Sequence, residues 1–424
     1  MTSSDDNGCG PGRRYAVYAL PSERSRLSSF GDRAFRLAMA GWTPGAQPNG
    51  EAERRSWAFR KYGFHATLKA PFHLAEQASF EDLVAAVRVQ AARIAPVRDI
   101  AMTVGVLDGF VALRPVDERA ELSGVAASLV LTLDHLRRPL SDHDRARRRP
   151  ETLDARQRLL LERWGYPHLF EQYRFHMTLS GRLAEPERTR AVARLDALFA
   201  DHGRPPLDMD AISLVAQDGP DAAFKELERV PLTGAGRPGT LFVIVGASGV
   251  GKDSVIDLAR QRLPCSAYYF PKRFITRQPV PAREDHESLS SDAFAAAQAA
   301  GHFAVSWRAN GARYALDRSV EHALAGGVHV VANVSRSVVE RLRRSYHRVC
   351  VVKLSASSAV LKQRLAARGT ETDAAIEARL HRHRLQDTQV RCDHEIANDA
   401  RLTDAADALV ALVRQVSAGP VRNG

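Results

Sequence analysis

The chain alternates between two kinds of hydrophobic pattern. In its first half, short apolar runs typical of β-strands are separated by longer stretches in which apolar residues recur at helical spacing. We expect strands at YAVYAL from Tyr15, FHATLKAPF, 100–106, 110–114, FHMTLSG at 175–181 and near 211–216. We expect helices at about 25–40, 79–95, both ends of 120–164 and 186–201. This mixture predicts an α+β domain.

The second half has a more regular order of elements. The stretch LTGAGRPG at 232–239 has three glycines, a proline and no hydrophobic period, which predicts a linker. The strands expected after it are GTLFVIVG, YYFPKRFIT, HFAVSWRANG, VHVVANV, RVCVVKLSA and HEIAN. The helices expected between them start at Lys252, lie around 291–300, end at Gly326-Gly327, and cover 335–346, 357–384 and 402–416. This alternation is typical of an α/β domain, with a parallel sheet and helices on both faces.

Length and composition set the domain organisation. The 424 residues suit two or three domains. We expect a disordered lead-in at 1–13, a first domain at 14–231, the linker, a second domain at 240–416 and a tail at 417–424. The four cysteines show no C-x-x-C spacing, and the polar N-terminus has no apolar region of a signal peptide. No apolar run is long enough to cross a membrane. A cytoplasmic protein is the expected class, and the net charge of +11 suits anionic ligands.

The motif GASGVGKDS follows the apolar run TLFVIV and precedes an amphipathic stretch. This strand–loop–helix setting is typical of a phosphate-binding loop, because backbone N–H groups and the helix N-terminus both face the phosphates. The lysine of such a loop reaches the β- and γ-phosphates. We therefore expect ATP to be bound by Gly246, Ala247, Ser248, Gly249, Val250, Gly251, Lys252 and Asp253.

One position departs from the usual pattern. A Ser or Thr that binds Mg²⁺ normally follows the lysine, but here the residue is Asp253. The later strand VHVVANV also lacks the usual metal-binding aspartate and ends at Asn333 instead. We hypothesise that the two departures are linked, so that Asp253 supplies the carboxylate for Mg²⁺ that the strand lacks.

The second half resembles a known family. The GKDS ending, RFITRQP, EDHESLS, FAVSWRANGARYALD, VVANVSR, LKQRLAARG and IEARLHR are similar to ribose 1,5-bisphosphate phosphokinases, which are relatives of guanylate kinase. The resemblance covers essentially all of 240–416. It implies transfer of the γ-phosphoryl group of ATP to ribose 1,5-bisphosphate in phosphonate catabolism, with 5-phosphoribosyl 1-diphosphate as the product.

The resemblance also implies roles for individual residues. Arg364 and Arg368 share a helix face at i, i+4 spacing and resemble the catalytic lid arginines of the family. The four-residue spacing of Arg273 and Arg277 places both on one face of a strand-like stretch. The residues expected to bind the acceptor are Arg273, Arg277, Trp307, Asn310, Tyr314, Arg379 and Arg382. Guanylate kinase is the alternative, although the segment after Arg277 lacks the expected tyrosine-bearing pattern for base recognition.

Two segments of the first half match each other. YGFHATL at 62–68 and YRFHMTL at 173–179 share five of seven residues in register. In a strand, His65 and Thr67 face one side, and His176 and Thr178 do the same in the second copy. Two such pairs suggest two lobes that face a common cleft. Two histidines can exchange general-base and general-acid roles at neutral pH, and Lys69 on the same face would add positive charge.

This arrangement resembles the 2H phosphoesterase superfamily, and most closely its DUF1045-like branch associated with phosphonate metabolism. The resemblance implies a metal-independent phosphodiesterase at about 14–231. We hypothesise that it opens a 5-phosphoribosyl 1,2-cyclic phosphate and supplies the kinase. The alternative is an RNA-binding or RNA-end-processing domain, whose footprint would be the cluster Arg137, Arg138, Arg145, Arg147, Arg148 and Arg149. A disordered basic loop would also explain this cluster. We expect phosphorylated sugars as partners, rather than nucleic acid or a membrane.

Overall fold

A computed structural model describes residues 12–42, 61–277, 286–309, 311–367 and 390–419. The chain divides into two compact units, Met1–Arg237 and Pro238–Gly424. Within the described ranges, no helix combines the length and the apolar character needed to cross a membrane.

The first unit is an α+β domain. Its strands are β1 (Arg14–Ala19), β2 (Ala66–Phe72), β3 (Val97–Ile100), β4 (Met102–Leu107), β5 (Phe110–Pro115), β6 (Met177–Arg182), β7 (Leu207–Met209), β8 (Ala211–Gln217) and β9 (Lys225–Pro231). Its helices are α1 (Arg26–Met39), α2 (Phe80–Ala91), α3 (Ala120–Leu133), α4 (Asp142–Arg147), α5 (Ala155–Trp164) and α6 (Glu187–Asp201). Seven strands form one antiparallel sheet in the order β4-β5-β6-β2-β1-β8-β9.

Amphipathic helices cover this sheet. Helix α1 begins where the Ser25 hydroxyl accepts a hydrogen bond from the Ser28 N–H at 3.0 Å. Phe30 of α1 and Phe199 of α6 are fully buried, with ring centroids 4.9 Å apart. Strand β9 was not predicted from the sequence. It is a charged strand at the edge of the sheet and therefore has no apolar run.

The second unit contains two sheets. Its strands are β10 (Leu241–Gly246), β11 (Tyr268–Tyr269), β12 (Arg273–Ile275), β13 (His286–Ser288), β14 (Phe303–Ala309), β15 (Ala312–Asp317), β16 (His329–Asn333), β17 (Val349–Ser355) and β18 (His394–Ala397). Its helices are α7 (Lys252–Arg262), α8 (Ser291–Ala299), α9 (Ser319–Ala325), α10 (Val339–Ser345), α11 (Ser358–Ala366) and α12 (Leu402–Ala418). The predicted parallel sheet is present, in the order β11-β16-β10-β17-β18.

The strand order corrects one part of the prediction. YYFPKRFIT is two strands in different sheets, because Pro271 separates β11 from β12 and has no N–H to donate to a ladder. Strand β12 joins a second, mixed sheet in the order β13-β12-β15-β14. Strand β15, which was not predicted, pairs with β14 in an antiparallel hairpin. An apolar pattern shows that a segment is a strand but does not show which strand pairs with it.

The segment after β9 is held by hydrogen bonds to the first unit. The N–H groups of Thr233 and Gly234 donate to Ala91 O at 3.2 Å and Ile94 O at 2.9 Å. Gly234 approaches the backbone so closely that an added Cβ would lie 2.0 Å from the carbonyl carbon of Arg93. The start of the predicted linker is therefore packed against the end of α2.

Gly234→Ala should destabilise the first unit by about 1–3 kcal/mol, because backbone atoms cannot move aside as a flexible side chain can. Differential scanning calorimetry of the full chain would show this as a lower melting temperature. Gly219→Ala is the matched control in the same unit, because nothing lies within 4 Å of a Cβ added there. Equal melting temperatures for the two variants would contradict the close approach.

Candidate functional site

The loop between β10 and α7 has the backbone conformation that phosphate binding requires. Gly249 and Gly251 both have φ of +89°, a left-handed conformation that side chains disfavour. The loop leads directly into the N-terminus of α7 at Lys252. The Lys252 Nζ donates hydrogen bonds to Gly246 O at 2.8 Å and Ala247 O at 3.1 Å, so the ammonium group lies over the loop. Such a loop can direct N–H groups and one positive charge at a phosphate chain.

Asp253 and Asn333 are in direct contact. Asp253 lies in the first turn of α7, and Asn333 ends β16, which pairs in parallel with β10. The Asn333 Nδ2 donates to Asp253 Oδ1 at 2.7 Å, and Arg273 donates to the same oxygen at 3.0 Å. The two residues that depart from the usual pattern are therefore neighbours. Of this pair, Asp253 on the helix provides the carboxylate, and Asn333 on the strand provides an amide.

Two further side chains reach the same loop. Arg364 of α11 donates to Val250 O at 3.4 Å, so this predicted lid arginine lies beside the phosphate loop. Asn398, just after β18, is buried and donates to Val250 O at 2.8 Å. Asn398 is not among the residues predicted from the sequence. Its only signal was a polar residue at the carboxyl end of a strand, which is where ligands bind in α/β sheets.

The structure describes only some of the residues expected to bind the acceptor, and they do not all lie where the sequence predicts. Strand β12 ends at Ile275, so Arg277 lies beyond it and the shared strand face expected for Arg273 and Arg277 is not formed. Trp307 and Tyr314 are opposite each other on β14 and β15, and their buried rings stack with centroids 5.6 Å apart. The remaining predictions lie outside the described residues: Asn310, Arg368, Arg379 and Arg382.

The two matching motifs of the first unit lie side by side. Strands β2 and β6 are antiparallel neighbours at the centre of the sheet, with Ala66 opposite Met177. Continuing this register by one residue sets His65 opposite Thr178 and Thr67 opposite His176. Ala66 and Met177 are fully buried on the other face. The two lobes expected from the motifs therefore share one sheet, and the four polar side chains share one of its faces.

Both imidazoles are oriented in the same way. The Nδ1–H of His65 donates to Gly63 O at 3.0 Å, and that of His176 donates to Arg174 O at 2.7 Å. These bonds to carbonyl oxygens set the tautomer and leave each Nε2 available for proton transfer. The His65 Nε2 lies 3.1 Å from the Thr67 hydroxyl. The Tyr18 ring stacks on the His65 ring with centroids 3.8 Å apart, which fixes the plane of the imidazole.

A cavity of about 400 Å³ opens over these residues. His65, Thr67 and Thr178 line it, whereas His176 is not among its described lining residues and has its ring 5.5 Å from that of Phe110. Burial lowers the pKa of His65 to about 4, and a charge on His176 acts in the same direction. Burial also lowers the pKa of His176. A bound anion would favour the protonated imidazoles and oppose these shifts.

The walls of the cavity are strongly basic. Lys69 is buried, and burial lowers its pKa to about 8. The other basic lining residues are Arg14, Arg137, Arg138, Arg147 and Arg148. The described residues contain no group of three or more His, Cys, Asp or Glu side chains that could hold a metal ion.

Known proteins are similar to both units. The family model for a protein of unknown function, DUF1045, matches residues 67–225. Ribose 1,5-bisphosphate phosphokinase PhnN of Laribacter hongkongensis is 38% identical over 410 residues, which cover 94% of this chain and 97% of that protein. The protein of the same name from Janthinobacterium is 36% identical over 387 residues, covering 87% and 85%. The solved guanylate kinase from Anaplasma phagocytophilum matches 43% of this chain and 88% of its own, with 15% identity and a TM-score of 0.34.

Protonation of His65 should make stability depend on pH. The folded pKa of about 4 lies below the ordinary value of 6.5, so the unfolded chain takes up the proton first as pH falls. The contribution is fully present above pH 6.5 and declines from there toward pH 4. His65→Gln should make the melting temperature depend less on pH between pH 6.5 and pH 4. His143→Gln, an exposed site, is the control and should behave like the wild type. Parallel curves for His65→Gln and wild type would contradict the shift.

Proposed function

Because this chain belongs to the family of ribose 1,5-bisphosphate phosphokinases, we propose that its second unit transfers the γ-phosphoryl group of ATP to the 1-phosphate of ribose 1,5-bisphosphate. A bond forms between an oxygen of the 1-phosphate and the γ-phosphorus, and the bond from that phosphorus to the β-phosphate oxygen breaks. The products are 5-phosphoribosyl 1-diphosphate and ADP. The observation that carries this proposal is the 38% identity to the Laribacter hongkongensis protein over 94% of this chain and 97% of that protein. The reaction would serve phosphonate breakdown in the cytoplasm.

The geometry of the loop supports this chemistry. Lys252 already lies over the loop and is positioned to turn toward the β- and γ-phosphates. Arg364 and Arg273 add positive charge near the loop and near Asp253, as required where negative charge moves between two phosphorylated molecules. The Asp253 carboxylate and the Asn333 side chain offer oxygen atoms, which suit Mg²⁺. Mg²⁺ bound at Asp253 would neutralise charge on the phosphates.

The most direct test is an assay of the full chain with ATP and ribose 1,5-bisphosphate, with formation of 5-phosphoribosyl 1-diphosphate as the readout. GMP is the competing acceptor. Faster phosphorylation of GMP than of ribose 1,5-bisphosphate would favour a guanylate kinase instead.

Exchanging the carboxylate between helix and strand tests the metal assignment. Asp253→Ser should raise the Mg²⁺ concentration for half-maximal kinase activity by more than about 10-fold. Adding Asn333→Asp should recover part of this loss, because Asn333 and Asp253 are hydrogen-bonded neighbours. Asp257→Ser is the matched control, since Asp257 lies on the same helix and pairs with Arg260. Full activity and unchanged Mg²⁺ dependence of Asp253→Ser would show that Asp253 is not a ligand.

For the first unit we propose hydrolysis of a cyclic phosphodiester. The oxygen of a water molecule attacks phosphorus while its proton passes to the Nε2 of one histidine. The ring P–O bond on the other side breaks, and the protonated second histidine gives its proton to the departing alkoxide. Thr67 and Thr178 donate hydroxyl protons to the phosphate oxygens, and Lys69 stabilises the charge that develops there. The support is the shared face of the four motif residues and the fixed tautomer of each imidazole.

The two activities should be lost separately. His65→Ala and His176→Ala should each reduce hydrolysis of a cyclic phosphodiester by about 10²–10⁴-fold and leave the kinase unchanged. Lys252→Met should abolish the kinase and leave hydrolysis intact. The readouts are formation of the ring-opened phosphate monoester and of 5-phosphoribosyl 1-diphosphate by the full chain, with His143→Ala as the control for histidine loss. Unchanged hydrolysis in both His65→Ala and His176→Ala would exclude the two-histidine mechanism.

A connected sequence of reactions follows from the two proposals. If the first unit opens a 5-phosphoribosyl 1,2-cyclic phosphate at its 2-oxygen, the product is ribose 1,5-bisphosphate, which is the proposed kinase substrate. Full-length protein given the cyclic compound and ATP should then form 5-phosphoribosyl 1-diphosphate. Hydrolysis of an RNA 2′,3′-cyclic end, with no turnover of the sugar compound, would contradict this link.

A further inference from the structure

The cavity of the first unit contains more positive charge than one phosphodiester requires. A phosphodiester carries a single negative charge, which Lys69 and the two histidines can accommodate. Among the described residues, five arginines and a single acidic residue, Asp144, also line the cavity. In the sequence, most of these arginines fit either a disordered basic loop or a nucleic-acid footprint. Their place in the cavity wall calls for a different account.

The fold holds the basic segment, residues 137–149, against the cavity. Beyond the end of β2, Leu74 and Arg137 form an antiparallel bridge, and the N–H of Arg138 donates to His73 O at 2.8 Å. Arg137 is fixed in place: it pairs with Asp134 at 2.7 Å and donates to Arg163 O at 3.2 Å. These bonds attach the basic segment to the residues that follow β2, the central strand of the sheet.

The other arginines follow on the short helix α4 and at its end. The Ser141 hydroxyl caps this helix by accepting from the Asp144 N–H at 3.1 Å. The Arg148 guanidinium lies 4.8 Å from the centre of the Tyr166 ring, and Tyr166 also lines the cavity. Arg145, on the same helix, points elsewhere: it pairs with Glu162 and is not among the lining residues. Of the two arginines of α4, Arg147 therefore lines the cavity and Arg145 forms a structural ion pair.

The arginines that line the cavity differ in what they already bind. Arg137 is neutralised by Asp134, and Arg14 donates to Gln217 at 2.9 Å. Arg138 and Arg147 are exposed at the rim, and within the described ranges neither has a carboxylate partner. The Arg148 guanidinium lies over the Tyr166 ring, and among the described residues it has no hydrogen bond or ion pair. Three guanidinium groups thus border the cavity with their hydrogen-bond donors available to an anion.

We propose that Arg138, Arg147 and Arg148 form a second anion subsite, which binds a phosphate monoester on the far end of the cyclic phosphodiester substrate. This inference rests on the proposed phosphodiesterase function. A phosphate monoester carries about −1.5 to −2 charges at pH 7 and three acceptor oxygens, which suits several arginines at once. A cavity of about 400 Å³ is large enough for a small ligand, and we assign to it a phosphorylated sugar with a cyclic phosphate as the substrate class.

The test compares two substrates of the full chain that differ only in the second phosphate: ribose 5-phosphate 1,2-cyclic phosphate and ribose 1,2-cyclic phosphate. The wild type should prefer the first in kcat/KM. Arg138→Gln combined with Arg147→Gln should reduce kcat/KM for the first by about 10- to 100-fold and change that for the second by less than twofold. Arg145→Gln is the matched control and should leave both values unchanged. Equal loss for both substrates, or no loss for either, would overturn the subsite while the phosphodiesterase proposal stands.

A binding measurement separates failure of the subsite from failure of the proposed activity. If the wild type hydrolyses neither compound, the phosphodiesterase proposal fails, and titration calorimetry with ribose 5-phosphate decides on the subsite. The double variant should then lose one binding event that the wild type and Arg145→Gln both show; identical titrations of all three proteins would overturn the proposal. Preferential hydrolysis of an RNA oligonucleotide with a 2′,3′-cyclic end, lost in the double variant, would assign the arginines to nucleic acid instead.

Discussion

The antiparallel pairing of β2 with β6 is the constraint on which the first site depends. Ala66 and Met177 are opposite each other and fully buried, so the apolar face of both strands is committed to the core. Side chains alternate along a strand, and a slip of one residue would therefore turn the His and Thr side chains into the core and expose apolar ones. Burial of the apolar face of both strands thus keeps the His and Thr side chains on the opposite face. The bridge between Leu74, just beyond β2, and Arg137 brings the basic segment to the same cavity.

A comparable constraint organises the second unit. Strands β10 and β16 are parallel neighbours, so their carboxyl ends lie at the same edge of the sheet. The phosphate loop follows the carboxyl end of β10, and Asn333 lies at the carboxyl end of β16. This places Asp253, in the first turn of the following helix, within hydrogen-bond distance of Asn333. The start of α7 and the end of β16 therefore meet at this edge, although Asp253 and Asn333 are 80 residues apart in the chain.

Local sequence patterns predict this protein best where the chemistry is local. The phosphate loop is evident because strand, glycines, lysine and helix are contiguous, and the two histidine motifs are evident because they repeat in register. Such patterns are weaker where partners are distant in sequence. The pattern of YYFPKRFIT predicts one strand where the structure has two, and the strand face expected for Arg277 is not formed. Asn398 lies far along the chain from Val250, which it contacts, and no local pattern identifies such a contact.

The sequence by itself determined the two-part organisation, the elements that carry each motif and the chemical character of the residues in them. These follow from local periodicity and from spacing within a few residues. Only the tertiary structure decided which strands are neighbours, that Asp253 contacts Asn333, and that a basic segment between two helices lines the cavity beside His65. Those outcomes depend on pairing between residues far apart in the chain, and the burial of the whole core selects that pairing.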